Sequence, residues 1–163
     1  MPEKTLTIEQ VLTLLTEAPP RIAEVTAGVA PDLLRTRPRQ DEWSAVDVLA
    51  HVRSCADMWG GAIETIIEED EPTIRAVNPR TWIDRTNYPD LQFRPSFRAF
   101  TKQRAQLLAL PEPLPAEGWS RSATVTGAGA PLTRTVHSYA QWLATHERTH
   151  VKQIERIVNT MHI

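Results

Sequence analysis

Apolar residues recur at helical spacing in four stretches of the chain. In the first, Ile8, Val11, Leu12 and Leu15 form a short amphipathic stripe. It is opened by Thr7-Ile8-Glu9-Gln10, which has the form of a capping box with Thr7 as N-cap. Pro19-Pro20 is predicted to interrupt this helix, with Pro20 suited to the first turn of a continuation through Val25. Residues 31 to 39 read as a Pro- and Arg-rich connector with room for one helical turn. The second stretch is longer. Ser44 precedes Ala45 with Asp47 at the third helical position, a good N-terminal signal. From there Leu49, Val52, Ala56, Trp59, Ile63 and Ile66 recur at spacings of three and four, so the helix should run to about Glu69. The acidic run Glu68-Glu69-Asp70-Glu71 and then Pro72 end it.

Turn residues dominate from 72 to 95 (Pro72, Asn78-Pro79, Asn87, Pro89, Pro95), which predicts a long connection with at most a short turn of helix. A connection of that length in a compact domain is functional or covers something. A third helix follows from about Ser96 to Leu110, with Phe93, Phe97, Phe100, Leu107 and Leu108 inward, and Pro111-Glu112-Pro113-Leu114-Pro115 stops it. Arg121 to Thr126 alternates like a strand and Gly127-Ala128-Gly129 is turn-like, so a short hairpin before the last helix is weakly signalled. The last helix is predicted from about Arg134 to Thr160. With no internal repeat, the pattern predicts one all-α domain over residues 1–163, a four-helix bundle with long connections.

Composition narrows the function classes. The 163 residues carry 18 Lys+Arg against 20 Asp+Glu, interspersed, which argues against a nucleic-acid or polybasic membrane binder. The single Cys excludes an intrachain disulfide framework and a multi-thiolate zinc finger. No apolar run approaches the roughly 20 residues that span a bilayer, and the polar N-terminus lacks the layout of a signal peptide. A soluble cytoplasmic protein is the expectation. Five histidines remain to be explained.

On the final helix, with Leu143 at zero, Val136, Tyr139, Ala140, Ile154, Ile157, Val158 and Met161 fall within about 60° of it and define the core face. His146 falls at about −60° and His150 at about −20°, on that same face. Two imidazoles aimed into a core need partners for four ring nitrogens. One reading is a pair of core histidines bonded to backbone or carboxylates. The other is metal binding, since the i, i+4 spacing brings both rings within reach of one ion. The local string His146-Glu147-Arg148-Thr149-His150 matches H-E-x-x-H, in which the Glu polarises an attacking water. A metalloprotease is nevertheless improbable. The extended form would need Gly and His where the chain has Gln153 and Arg156, and only 13 residues follow His150. A third ligand must come from upstream. His51, about 110° from the centre of its helix's stripe, is permitted but not forced to face the interior. His137 lies on the opposite side of its helix and reads as a surface or interface residue, and His162, near the C-terminus, reads as solvated.

Trp43-Ser44 opening a helix with His51 seven residues later, and His146-x-x-x-His150-x-x-Gln153-Ile154 closing the chain, resemble the DinB-like superfamily. That superfamily includes metal-dependent hydrolases and thiol S-transferases. The resemblance implies an up-down-down-up four-helix bundle, commonly a homodimer, with His51, His146 and His150 as ligands of one divalent metal. Trp82 and Tyr88, in the aromatic connection, would suit a dimer contact. It implies a small-molecule substrate and either transfer to a low-molecular-weight thiol, the preferred expectation, or hydrolysis. A non-catalytic metal-binding stress-response module is the competing class. Three imidazoles leave a coordination position free, as in catalytic zinc sites; zinc is the first expectation, and nickel, iron or manganese also fit.

Several neighbours have two readings. Glu147, at about +40° on the final helix, is a candidate general base or hydrogen-bond acceptor, or else a carboxylate at the bundle margin paired with Arg or Lys. Asp47 could orient His51 or simply favour the helix N-terminus; Gln153 could likewise orient His150. Cys55 is an inert small core residue or a further ligand. Trp43, Trp59 and Trp142 read as core or pocket wall, and Tyr139 as packing.

Overall fold

The computed structural model describes residues 4–110 and 114–161. Met1, Pro2, the Pro111-Glu112-Pro113 stop and His162 lie outside the described residues. Four long helices dominate: α1 (Ile8–Thr26), α3 (Ala45–Glu68), α5 (Phe93–Leu108) and α7 (Val136–Met161), with short α2 (Pro31–Arg35), α4 (Pro79–Trp82) and α6 (Ala116–Trp119) between them. Both N-terminal signals form as expected. Thr7 and Gln10 close a capping box on α1, and Ser44 and Asp47 close one on α3. Helix α5 starts three residues earlier than predicted, at Phe93, because Pro95 falls in the first turn, where its missing N–H has no helical partner to lose.

Side-chain contacts give the direction of each helix. Arg21 pairs with Glu155 while the amide of Leu6 donates to Gln141, so α1 and α7 run parallel. Arg53 donates to Ser96 and Gln103 to Asp57, so α3 and α5 also run parallel. His51 meets His146 while Trp59 stacks on Trp142, which makes α3 and α7 antiparallel. Arg94 reaches Thr26 and Arg104 reaches Leu15, which does the same for α5 and α1. The order is therefore up-down-down-up. The buried side chains of Leu15, Ile22, Leu49, Ile63, Phe100, Leu143 and Ile154 fill the middle.

The fold is not purely helical. Strands β1 (Thr73–Arg75), β2 (Ser122–Thr126) and β3 (Leu132–Thr135) make a small sheet in that order. The β2–β3 hairpin pairs Ser122 with Thr135 and Val125 with Leu132. It turns through Gly127 at φ +89°, where a Cβ would lie 3.2 Å from the Arg75 side chain. The third strand was not expected: β1 is three residues, too short for an alternation to register, and it pairs parallel to β2. Arg134 ends up in β3, so α7 begins two residues later than predicted.

The larger correction concerns Pro19-Pro20, which lie inside an unbroken α1. Pro19 removes the amide that would bond the Leu15 carbonyl. That carbonyl instead accepts from Arg104 Nη1 at 2.9 Å. Arg104, 3% exposed, reaches across the bundle to Glu147, 1% exposed, in a two-pronged ion pair with Nη1–Oε1 at 2.7 Å and Nη2 on Oε2. One guanidinium thus joins α1, α5 and α7 in the core. Arginines also close two helix C-termini. Arg94 donates to the Thr26 and Val29 carbonyls, and Arg121 to those of Ile66 and Glu69.

The long connection after α3 is pinned by one carboxylate. Asp57 Oδ2 accepts from Trp82 Nε1 at 3.1 Å and from Tyr88 Oη at 2.7 Å, while Oδ1 accepts from Gln103. Burial and the adjacent Asp57 push the Tyr88 phenol up to about 12, so it stays protonated and donates. Trp82 and Tyr88, expected to suit a dimer contact, are half-buried and engaged within the chain.

Removing one member of a buried ion pair costs about 3–5 kcal/mol, whereas replacing both by apolar groups costs far less. Arg104→Met should therefore lower unfolding stability in urea by about that amount. The Arg104→Met/Glu147→Met double variant should lose much less than the sum of the single losses. Additive losses would contradict the pairing.

Candidate metal centre

Helix phase brings the site together. His51 and Cys55 are one turn apart on α3, and His146 and His150 one turn apart on α7. Where the two helices cross antiparallel, His51 Nε2 lies 3.0 Å from His146 Nε2, and His150 Nε2 lies 3.1 Å from the same atom. The three ring centroids are 4.4 to 5.2 Å apart. All three histidines singled out in the sequence therefore converge. His51, whose orientation periodicity left open, points inward and is 8% exposed.

Cys55 joins them. Its Sγ is 3.6 Å from His51 Nε2 and 3.5 Å from His146 Nε2, and the residue is fully buried. The packing reading gives its place but misses these contacts, which follow from its position one turn after His51 on a helix that faces α7. Four donors around a zinc-like ion at tetrahedral angles would stand about 3.4 Å apart for two nitrogens and about 3.6 Å for nitrogen and sulfur. His51, Cys55 and His146 are within a few tenths of those separations.

The surroundings prepare the donors. His150 Nδ1 lies 2.7 Å from Gln153 Oε1; an amide oxygen only accepts, so the ring carries its proton on Nδ1 and presents a lone pair at Nε2. Of the two roles open to Gln153, this is the orienting one. Burial lowers the basicity of all three rings, aided at His51 and His146 by neighbouring imidazoles, and holds His51 and His146 down to about 4. Burial pushes the Cys55 thiol up to about 12, with the Glu147 carboxylate adding to the effect. At neutral pH the cluster is three neutral imidazoles and a protonated thiol, with no anion of its own.

Aromatic rings wall it in. Trp59, itself buried, meets His146 edge-on at 5.1 Å and stacks at 4.1 Å on Trp142, which is exposed on its far side. Trp43 lies against His51 at 5.3 Å and parallel to His150 at 6.5 Å on the outer side. There the imidazoles open into a cavity of about 590 Å³ that Trp43, Gln153 and Arg80 help to line, and Cys55 does not reach it. The donor set thus has a buried side, at Cys55, and a wet face, where the imidazoles meet the cavity.

Other sequence readings resolve differently. Asp47 closes the α3 capping box and lies 3.3 Å from Arg37, so it serves the helix start and not His51. Glu147 is neither at the bundle margin nor turned to the imidazoles: both its oxygens are taken by Arg104. Burial pushes its carboxyl up while Arg104 pulls it down. Arg104 was missed although it completes the row Phe93, Phe97, Phe100, Arg104, Leu107, in phase with the apolar stripe. His137, read as a surface or interface residue, is half-buried; its Nε2 lies 2.8 Å from the Leu6 carbonyl and helps hold the N-terminal segment to α7. Tyr139 is buried in packing, as expected.

With this geometry in view, comparisons with known proteins are informative. No curated protein sequence matches the chain. Among solved structures, it is similar to YfiT from Bacillus subtilis, described as a probable metal-dependent hydrolase with an unusual four-helix bundle topology. The TM-score is 0.80 at 16% identity, over 99% of this chain and 93% of that one, a likeness that speaks for the fold. Among the described residues, no helix is long and apolar enough to cross a membrane. A family model of the DinB superfamily matches residues 14–154, a span that takes in His51, His146 and His150. The chain belongs to the DinB superfamily.

Proposed function

We propose that the chain acts as a single-domain, metal-dependent enzyme whose ion is held by His51, His146 and His150, with Cys55 as an additional donor from the buried side. The observation that carries this is the convergence of three neutral Nε2 atoms from two antiparallel helices onto the floor of an open cavity. Imidazole and thiolate donors suit zinc first, with nickel, iron or manganese as alternatives. A cation held there supplies Lewis acidity toward a water or a substrate oxygen or sulfur.

The remaining roles belong to the chain. Gln153 fixes the His150 tautomer, Trp59 and Cys55 exclude water from behind, and Trp43 forms the wall on which a substrate would rest. Glu147, locked to Arg104, sets the rotation of α7 and serves as a positioning residue, not a base. Hydrolysis of a small-molecule substrate is the preferred reaction, in line with the description of the similar solved structure. Transfer to a low-molecular-weight thiol would use the same open face.

Protein purified without chelator or nickel resin should carry about one equivalent of a divalent transition metal. His150→Ala and His51→Ala should carry a small fraction of that by elemental analysis. Unchanged metal content in both variants would remove the basis of the proposal. In the cobalt-substituted protein, a thiolate-to-cobalt charge-transfer band in the near ultraviolet should appear and vanish in Cys55→Ser. A spectrum without that band restricts the donor set to the three imidazoles. With metal content established, ester and amide hydrolysis and the consumption of added thiols can be compared directly. Full metal content with no turnover of either kind favours a structural module.

The pH dependence has a defined sign. Unfolded imidazoles titrate near 6.5, whereas folded His51 and His146 titrate at about 4. Between those values the unfolded chain binds more protons, so acid removes stability from the metal-free protein. Its melting temperature should be level with respect to these groups above about pH 7 and fall as pH drops from 6.5 towards 4. Calorimetry should find a shallower fall in His51→Gln/His146→Gln; equal slopes in the two proteins would refute the assignment.

A further inference from the structure

The wet face of the cluster is ringed by charge that the metal site does not use. Arg39, from the connector after α2, Arg80, from α4, and Arg156, from α7, all line the cavity above the imidazoles. None of the three forms an ion pair among the described residues, whereas Arg21, Arg37, Arg104 and Arg121 all do. Each comes from a different element, so their meeting at one opening is a product of the fold and not of a charged run in the sequence.

Two of the three are placed by identifiable devices. The backbone at Arg80 is fixed by Asn78, whose side chain accepts from the Arg80 amide at 2.9 Å. The segment beyond it is tied to α3 by Trp82 and Tyr88 on Asp57. Its guanidinium lies 5.8 Å from the Trp43 ring, the same ring that lies against His51 and His150, and its charge is among those that hold down the His51 imidazole. Arg156 continues the row His150, Gln153, Arg156 down α7, about 9 Å along the axis from His150. Asp41 and Glu42 share the rim. They reduce the positive excess but do not remove it, and a divalent ion on the floor would add to it.

We propose that the substrate of this site carries an anionic oxygen group, a carboxylate or a phosphate, several bonds from the atom presented to the metal, and that Arg80 and Arg156 receive it. A guanidinium offers paired donors that match the oxygens of either anion. The two positive charges then favour small anionic molecules over neutral ones of the same size. This inference rests on the metal-centre reading above and adds to it the class of substrate.

The test uses the cobalt-loaded full chain and two metal-seeking probes, 2-mercaptoethanol, which is neutral, and 3-mercaptopropionate, which carries a carboxylate. Their dissociation constants are read from the visible cobalt spectrum. Arg80→Gln and Arg156→Gln should each weaken 3-mercaptopropionate by about 5- to 10-fold, the scale of a partly solvated charge-assisted contact. Binding of 2-mercaptoethanol should be unchanged, which also shows that the variants fold and hold metal. Arg98→Gln, exposed on α5 and away from the cavity, should leave both probes unaffected. Inorganic phosphate that displaces 3-mercaptopropionate but not 2-mercaptoethanol would identify phosphate as the preferred group, and failure to displace it would identify carboxylate. If neither arginine variant changes the ratio of the two constants, or if Arg98→Gln changes it equally, the proposal is overturned while the metal reading stands. A chain that takes up no cobalt overturns both.

Discussion

The buried pairing of Arg104 with Glu147 constrains more of this molecule than any other contact. It spans the diagonal of the bundle, between α5 and α7, and its third bond goes to the Leu15 carbonyl on α1. A charged pair with under 4% exposure on either side is tolerated only if its geometry is good and further hydrogen bonds support it; here the Leu15 carbonyl supplies one, while Arg104 Nε is left without a partner. Pro19 contributes by leaving a carbonyl without its helical amide. The feature that looked like a helix break is therefore part of what lets a guanidinium sit in the core.

The same pair fixes how α7 is rotated. With Glu147 turned to the bundle axis, His146 and His150 are carried about 100° and 60° to one side of it, towards α3. There they meet His51. Rotating α7 by half that amount would either bury the imidazoles without partners or send them to solvent. The polar centre of the core and the metal centre beside it are thus a single arrangement, and the residue between the two histidines is what couples them.

Much of this was legible in the sequence, for physical reasons that differ from element to element. Long apolar stripes and two capping boxes located α1, α3 and α7 because those signals are local. Helix phase placed His146, His150 and Glu147 on one face, and only the partner of Glu147 was missing. Arg104 was hidden by its type, since a charged residue in register with Phe93, Phe100 and Leu107 is discounted by any rule that reads apolar spacing. Pro19-Pro20 misled for the converse reason: the local penalty is real, but its compensation comes from Arg104, far along the chain. Strand β1 and the tie of Trp82 and Tyr88 to Asp57 depend wholly on tertiary context, and so does the meeting of Arg39, Arg80 and Arg156. His51 shows the boundary between the two cases, since its phase was known and its orientation was not.

The order of the helices has a consequence for how such a chain is made. The main neighbour of α1 is α7, which lies more than 100 residues further along the chain, and even Leu6 is fastened to Gln141 and His137. Neither of the two parallel pairs can form by a tight local turn. Until the 26 residues of α7 are available, the apolar face of α1 has no complete partner and the Arg104 charge has no counter-ion. Closing such distant contacts is slow relative to local hairpins and exposes sticky surface meanwhile. Loss of α7 would accordingly remove the closing wall of the bundle and take His146 and His150 with it.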